Sequence, residues 1–175
     1  MDIILRLFPN TKKVGTIYNA SEANSVKAVG VARDALKAKG VELEEVTIGG
    51  TGDVFMGAQA LLARHPDVIW VTGDNTVLQA LEGVIKPTNG AKVPLILNDP
   101  EFVERGALIG VGIGWQDSGM AAGKMAARVL RDESPAGMPI VSLVKERIVL
   151  NLEMARNLGV EFPPDLLKEA GIPPK

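Results

Sequence analysis

The side chains with most chemistry to offer fall in a few short polar runs. Asn19-Ala20-Ser21-Glu22-Ala23-Asn24-Ser25 places two carboxamides, two hydroxyls and a carboxylate within seven positions, and Gly73-Asp74-Asn75-Thr76 and Asn98-Asp99-Pro100 repeat the theme downstream. These groups suit recognition rather than reaction. Ser21 and the free N–H groups of a helix start can hold a carboxylate, with Asn24 and Ser25 one turn in as further donors. Asp74 can pair with an ammonium group, with Asn75 beside it, and Asp99 offers a third carboxylate. The same residue types also serve as turns and caps, so Ser21, Asp74 and Asp99 each read equally as helix N-caps. For Asp99 that role is favoured by Pro100 at the first helical position. The first run nevertheless holds more polar groups than capping requires.

Reactive chemistry is poorly represented. The chain has no cysteine and one histidine, His65, in an Arg-His-Pro turn that reads as a solvated loop. No phosphate loop of the GxxxxGK[ST] type, GxSxG elbow or HExxH helix occurs, and no nucleophile is paired with a base. Gly110-Val111-Gly112-Ile113-Gly114 departs from the dinucleotide fingerprint, because its third glycine follows the second too closely and the downstream acidic strand is missing. The sequence therefore points to a non-catalytic protein without metal or cofactor. A net charge of −2 with no basic stripe gives no reason to expect nucleic acid. The opening residues lack the basic region of an export signal, and no segment approaches the ~20 apolar residues of a membrane span.

The polar runs sit between elements that alternate regularly over 175 residues, a length that suits one domain with an attached piece. After a lead-in over residues 1–10, strands are predicted at 14–18, a continuous apolar run, and at 41–48, 68–72, 94–97 and 107–113. Helices are predicted from Ser21 to about Lys39, stopped by Gly40, from Val54 to Arg64, and along Val77, Leu81 and Ile85, with a short one opened by Asp99-Pro100. Strand and helix in alternation favour an α/β fold with a doubly wound parallel sheet. Every strand-to-helix turn then lies on one edge, where Asn19, Ser21, Gly50, Thr51, Asp74, Asn75, Asn98 and Asp99 converge. Beyond Gly114 the pattern changes to a long helix over 115–131, a loop over 132–139, a strand over 141–150 and helices over 151–158 and 165–170.

Four stretches carry a family likeness. Tyr18-Asn19-Ala20-Ser21-Glu22-Ala23-Asn24-Ser25, Thr72-Gly73-Asp74-Asn75-Thr76, Val103-Glu104-Arg105-Gly106-Ala107, and Asn151-Leu152 with Ala155-Arg156-Asn157-Leu158-Gly159-Val160 resemble the ABC-transporter substrate-binding family. The similar branch is the one associated with tryptophan and other aromatic amino acids. The resemblance covers nearly the whole chain, in order. It implies a type I periplasmic binding fold, in which two α/β lobes trap a solute and deliver it to a membrane permease, and it aligns this chain with the carboxyl-terminal portion, from the start of the second lobe. The export signal and the opposing wall would then precede these residues, and the full-length protein would be periplasmic or lipid-anchored outside the cell.

The resemblance further implies ligand contact from Asn19, Ser21, Glu22, Asn24, Ser25, Asp74 and Asn75, with Asp99 nearby. It divides the chain into a ligand-binding lobe (1–114), a helix and loop that cross to the first lobe (115–140), and a returning strand with C-terminal helices (141–175). A crossing helix without its lobe needs other cover, so it is expected to fold onto its own lobe or to pack in a homodimer. The same fold also serves as the effector domain of transcriptional regulators, which is the alternative function.

Overall fold

The computed structural model describes residues 1–138, 140 and 144–173. Its centre is a six-stranded sheet in the order β2-β1-β3-β4-β5-β6. The strands are β1 (Lys13–Asn19), β2 (Glu42–Ile48), β3 (Val68–Val71), β4 (Leu95–Leu97), β5 (Ile109–Ile113) and β6 (Glu146–Leu150). The first five are parallel, and β6 returns antiparallel to β5 with Val111 opposite Ile148. All four residues of β3 are buried, as a strand covered on both faces must be, which is why its sequence Val-Ile-Trp-Val shows no alternation.

Helices cover both faces. On one, α1 (Asp2–Leu7), α2 (Ala23–Lys37), α7 (Leu152–Leu158) and α8 (Pro164–Glu169) contribute Ile4, Val29, Leu36, Ala155 and Leu166 to a core with Val14, Val68 and Trp70. On the other, α3 (Val54–Leu62), α4 (Asn75–Gln79) and α5 (Glu82–Gly90) bury Ala58, Leu61, Val77, Val84 and Ile85 against Ile17, Ile69 and Leu97. The remaining helix, α6 (Trp115–Val129), buries none of its residues.

Several expectations need correction. Residues 1–10 are not a lead-in: they contain α1, whose Ile4 is fully buried and whose Arg6 reaches Asp165 at 2.6 Å and Glu169 at 3.0 Å on α8. Six residues are too few to display a helical period. The single helix expected through Val77, Leu81 and Ile85 is two, broken at Ala80 and Leu81. The break brings Gly83 against α3, where a Cβ would stand 3.2 Å from the Phe55 backbone nitrogen. The strand expected over 141–150 begins at Glu146, and its expected residues 141–143 lie outside the described residues.

Gly110 and Gly112 have a steric explanation. A Cβ on Gly110 would lie 2.6 Å from Pro100 Cα, and one on Gly112 would lie 2.5 Å from the Asn98 carbonyl oxygen. The glycine run thus lets the loop after β4 lie directly across β5.

Candidate functional site at the carboxyl edge of the sheet

Because β1 to β5 run parallel, the turns that leave them share one edge, and side chains stitch neighbouring turns together. Asn19 ends β1, and its backbone N–H donates to Asp74 Oδ2 at 2.8 Å. Asp74 Oδ1 accepts from Val77 N at 2.9 Å, so this buried carboxylate caps α4 and ties the β1 turn to the β3 turn. Asn19 Nδ2 donates to Thr76 Oγ1 at 2.9 Å, its Oδ1 accepts from Ser21 N at 2.9 Å, and Asn24 Nδ2 donates to the Gly73 carbonyl at 3.1 Å.

Glu22 is the knot of this group. Its carboxylate accepts from Asn75 N, Asn75 Nδ2 and Thr76 N, each at 2.9 Å, and from Thr76 Oγ1 at 2.7 Å. Desolvation pushes the carboxyl upward, but the Thr76 hydroxyl, the two backbone N–H groups and the Asn75 carboxamide outweigh it and hold its pKa down at about 2. The N-terminus of α4 is thus occupied by carboxylates of the protein itself. The N-terminus of α2 is not. Ser21, expected as its cap, lies one residue outside it; Glu22 is the N-cap and makes no side-chain cap bond. The backbone N–H groups of Ala23, Asn24 and Ser25 find no acceptor among the described residues, and the exposed Ser21 hydroxyl is likewise unbonded. Ser25 Oγ is buried without a partner.

A second stitch joins the β4 and β5 turns. Asp99 Oδ1 caps the short 3₁₀ helix Pro100–Arg105 through Glu101 N at 3.0 Å, and its Oδ2 accepts from Trp115 Nε1 at 2.9 Å. Asn98 Oδ1 accepts from Trp70 Nε1 at 2.9 Å. At the far end of the edge, Asp53 Oδ2 accepts from Gly49 N and Gly50 N, both at 3.2 Å.

The structure therefore brings Asn19, Ser21, Glu22, Asn24, Ser25, Asp74 and Asn75 into one cluster across the β1 and β3 turns and sets Asp99 on the same rim after β4, the next strand. Asp74 and Asp99 have both carboxylate oxygens engaged by the protein, whereas Ser21, Asn24 and Asn75 are exposed. Sequence reasoning passed over Thr76 and Trp115. The signal for Thr76 was its place two residues after Asp74, in the first turn of the capped helix; for Trp115 none existed, because its contact with Asp99 needs the β4–β5 register.

Residues 1–172 match the family model described as ABC transporter substrate binding protein. The chain belongs to that family. It is 30% identical over 161 residues to the tyrosine-binding protein of Clostridioides difficile (strain R20291), covering 92% of this chain and 46% of that protein. Among solved structures, it is similar to the ABC domain in complex with L-Trp from Streptococcus pneumonia, with 31% identity and a TM-score of 0.86 over 99% of this chain and 60% of that one. A conserved domain protein from Vibrio cholerae O1 biovar El Tor gives 31% identity and a TM-score of 0.88 over 99% of this chain and 58% of that one. The chain spans about half the length of the curated relative it matches. In family terms, the stitched rim belongs to a substrate-binding protein, and no helix among the described residues is long and apolar enough to cross a membrane.

Proposed function

We propose that this chain forms one wall of a solute-binding cleft, without catalysis, in the extracytoplasmic binding component of an ABC importer, and that the solute is an amino acid with an aromatic side chain. The observation that carries the reading is the asymmetry of the rim: the carboxylates of Glu22, Asp53, Asp74 and Asp99 are engaged by the protein, while among the described residues the α2 start keeps three free N–H groups beside a free Ser21 hydroxyl. Such a cradle suits a solute carboxylate. Asn24 and Asn75 flank it, and Asp74, expected from sequence beside the ammonium group, holds the Asn19 and Asn75 turns in place from below. The tyrosine- and tryptophan-binding relatives support an aromatic amino acid as the solute, and the family supports a permease as the membrane partner. Residues 115–140 would cross to the opposing wall.

Titrating L-tryptophan or L-tyrosine into ¹⁵N-labelled chain tests the site. Amide shifts are expected at Ser21, Ala23, Asn24, Ser25 and Asn75, with an affinity weakened to about millimolar because one wall buries only part of the solute. Ser21→Ala is expected to weaken binding by roughly fivefold, the worth of one hydrogen bond. Shifts confined to other faces, or unaltered by Ser21→Ala, would refute the assignment.

A further inference from the structure

Trp115 stands at the rim in a manner that capping and core packing do not account for. It opens α6 where the chain leaves β5, and the β4 turn holds it there: its backbone N–H donates to Glu101 Oε1 at 3.1 Å and its Nε1 to Asp99 Oδ2 at 2.9 Å. Capping the 3₁₀ helix Pro100–Arg105 needs only Asp99 Oδ1. The second oxygen of a buried carboxylate is therefore committed to fixing an indole, yet Trp115 is left 61% exposed. Among the described residues it joins neither core cluster. A large aromatic ring ordinarily stabilises a fold by being buried, and one that is pinned in place but uncovered offers its face to something else. Neighbouring aromatic residues do not share that property. Tyr18 and Trp70 are buried, and Phe102 has the Arg105 guanidinium over its ring at 5.4 Å.

The indole also lies at the right distance from the α2 start. Glu22 and Asn24 hold that start against the β3 turn through Asn75 N and the Gly73 carbonyl. Asp99 follows β4, one strand from β3 and two from β1, so about 5–10 Å of rim separate it from the seat at ~4.8 Å per strand. An extended aromatic amino acid carries its ring centre about 5 Å from its carboxylate carbon, three bonds and a ring radius away. A solute with its carboxylate on α2 and its side chain directed along the rim toward β5 thus brings its ring within stacking reach, about 4.5–7 Å between centroids, of an indole held beside Asp99.

We propose that Trp115 determines the class of solute: its indole stacks on the side chain of an amino acid whose carboxylate occupies the α2 start, so flat aromatic side chains are preferred over aliphatic ones of similar size. The inference rests on the α2 reading above and adds the surface that recognises the side chain. Because Asp99 and Glu101 fix the indole from this wall, its position is set before the rest of α6 departs, and little freedom is left to lose on stacking. Stacked aromatic pairs gain beyond the area they bury, which an aliphatic side chain cannot match.

The ¹⁵N-labelled 175-residue chain has two indole Nε1–H signals, from Trp70 and Trp115, and Trp115→Phe assigns them. L-Tryptophan is expected to shift the Ala23, Asn24 and Ser25 amides, and L-leucine to shift them more weakly. Only L-tryptophan is expected to move the Trp115 indole signal, through the ring current of the stacked side chain. Trp115→Ala is expected to shrink the preference for L-tryptophan over L-leucine about threefold to tenfold. Trp115→Phe, which keeps a ring but cannot bond Asp99, is expected to retain most of that preference. A preference lost equally in Trp115→Phe and Trp115→Ala would assign the effect to the Asp99 bond and overturn the proposal. So would an unmoved Trp115 indole signal, or a preference unchanged in Trp115→Ala. The carboxylate seat would stand in each of those cases. Absence of shifts at Ala23 to Ser25 with either amino acid would refute the seat itself, and this inference with it.

Discussion

Glu22 shows how a residue that looks like a ligand contact can serve the wall on which a ligand rests. Four donors from Asn75 and Thr76 converge on its carboxylate, and they stabilise the ionised form enough to hold the pKa at about 2 against desolvation. Glu22→Gln keeps the shape but offers an amide where two N–H groups and a hydroxyl need acceptors; a loss of about 1–2 kcal/mol is expected. The pH dependence follows from the sign of the shift. A carboxyl with a folded pKa below its unfolded one stabilises the fold fully above about 4.5, and that stability disappears as pH falls toward about 2. The melting-temperature gap between the natural chain and Glu22→Gln should therefore be constant from pH 7 to 5 and close between pH 4.5 and 2. A gap of unchanged size at pH 2 would show that the carboxylate is not what matters. Sequence alone picked out Glu22 as the carboxylate of the first polar run, but its partners lie 53 and 54 residues away and only the β1–β3 pairing reveals them.

At the scale of elements, four of the five parallel strands were legible as short, mainly apolar runs punctuated by glycine, proline or a polar turn, and the glutamate-rich edge strand β2 by its place between Gly40 and Gly49; the edge to which they point was legible with them. What escaped depends on contacts between elements. α1 is recognisable through Ile4 and the reach of Arg6 to α8, and the break between α4 and α5 through the approach of Gly83 to α3. The glycines of β5 belong to the same class, since their spacing invited a nucleotide reading while the structure shows the β4 turn lying across them. Gly110→Ala therefore forces a methyl group against the Pro100 backbone, 2.6 Å away, where no flexible side chain can yield. Overpacking of about 1–3 kcal/mol, or roughly 3–9 °C in melting temperature, is expected. Gly50→Ala is the matched control, because a Cβ there meets nothing within 4 Å and the backbone is extended at φ −168°. Equal melting temperatures for the two variants in a circular-dichroism scan would contradict the packing argument.

For the molecule as a whole, the rim combines rigid and unfinished parts, and hydrogen exchange can separate them. The N–H groups of Asn19, Asn75, Thr76 and Val77 are bonded to carboxylates and link two turns, so they should exchange with the slow amides of the core. The N–H groups of Ala23, Asn24 and Ser25, one turn away, have no acceptor among the described residues and should exchange among the fastest in the lobe. A solute carboxylate seated on α2 would slow those three. One wall alone leaves the solute largely in water, so protection in the 175-residue chain should be small at any accessible amino-acid concentration. It should become large when an opposing wall closes over the same edge in a longer chain. Slow exchange at Ala23 to Ser25 without solute would mean that the α2 start is already satisfied by the fold, and the wall would then have no vacant anion seat to offer.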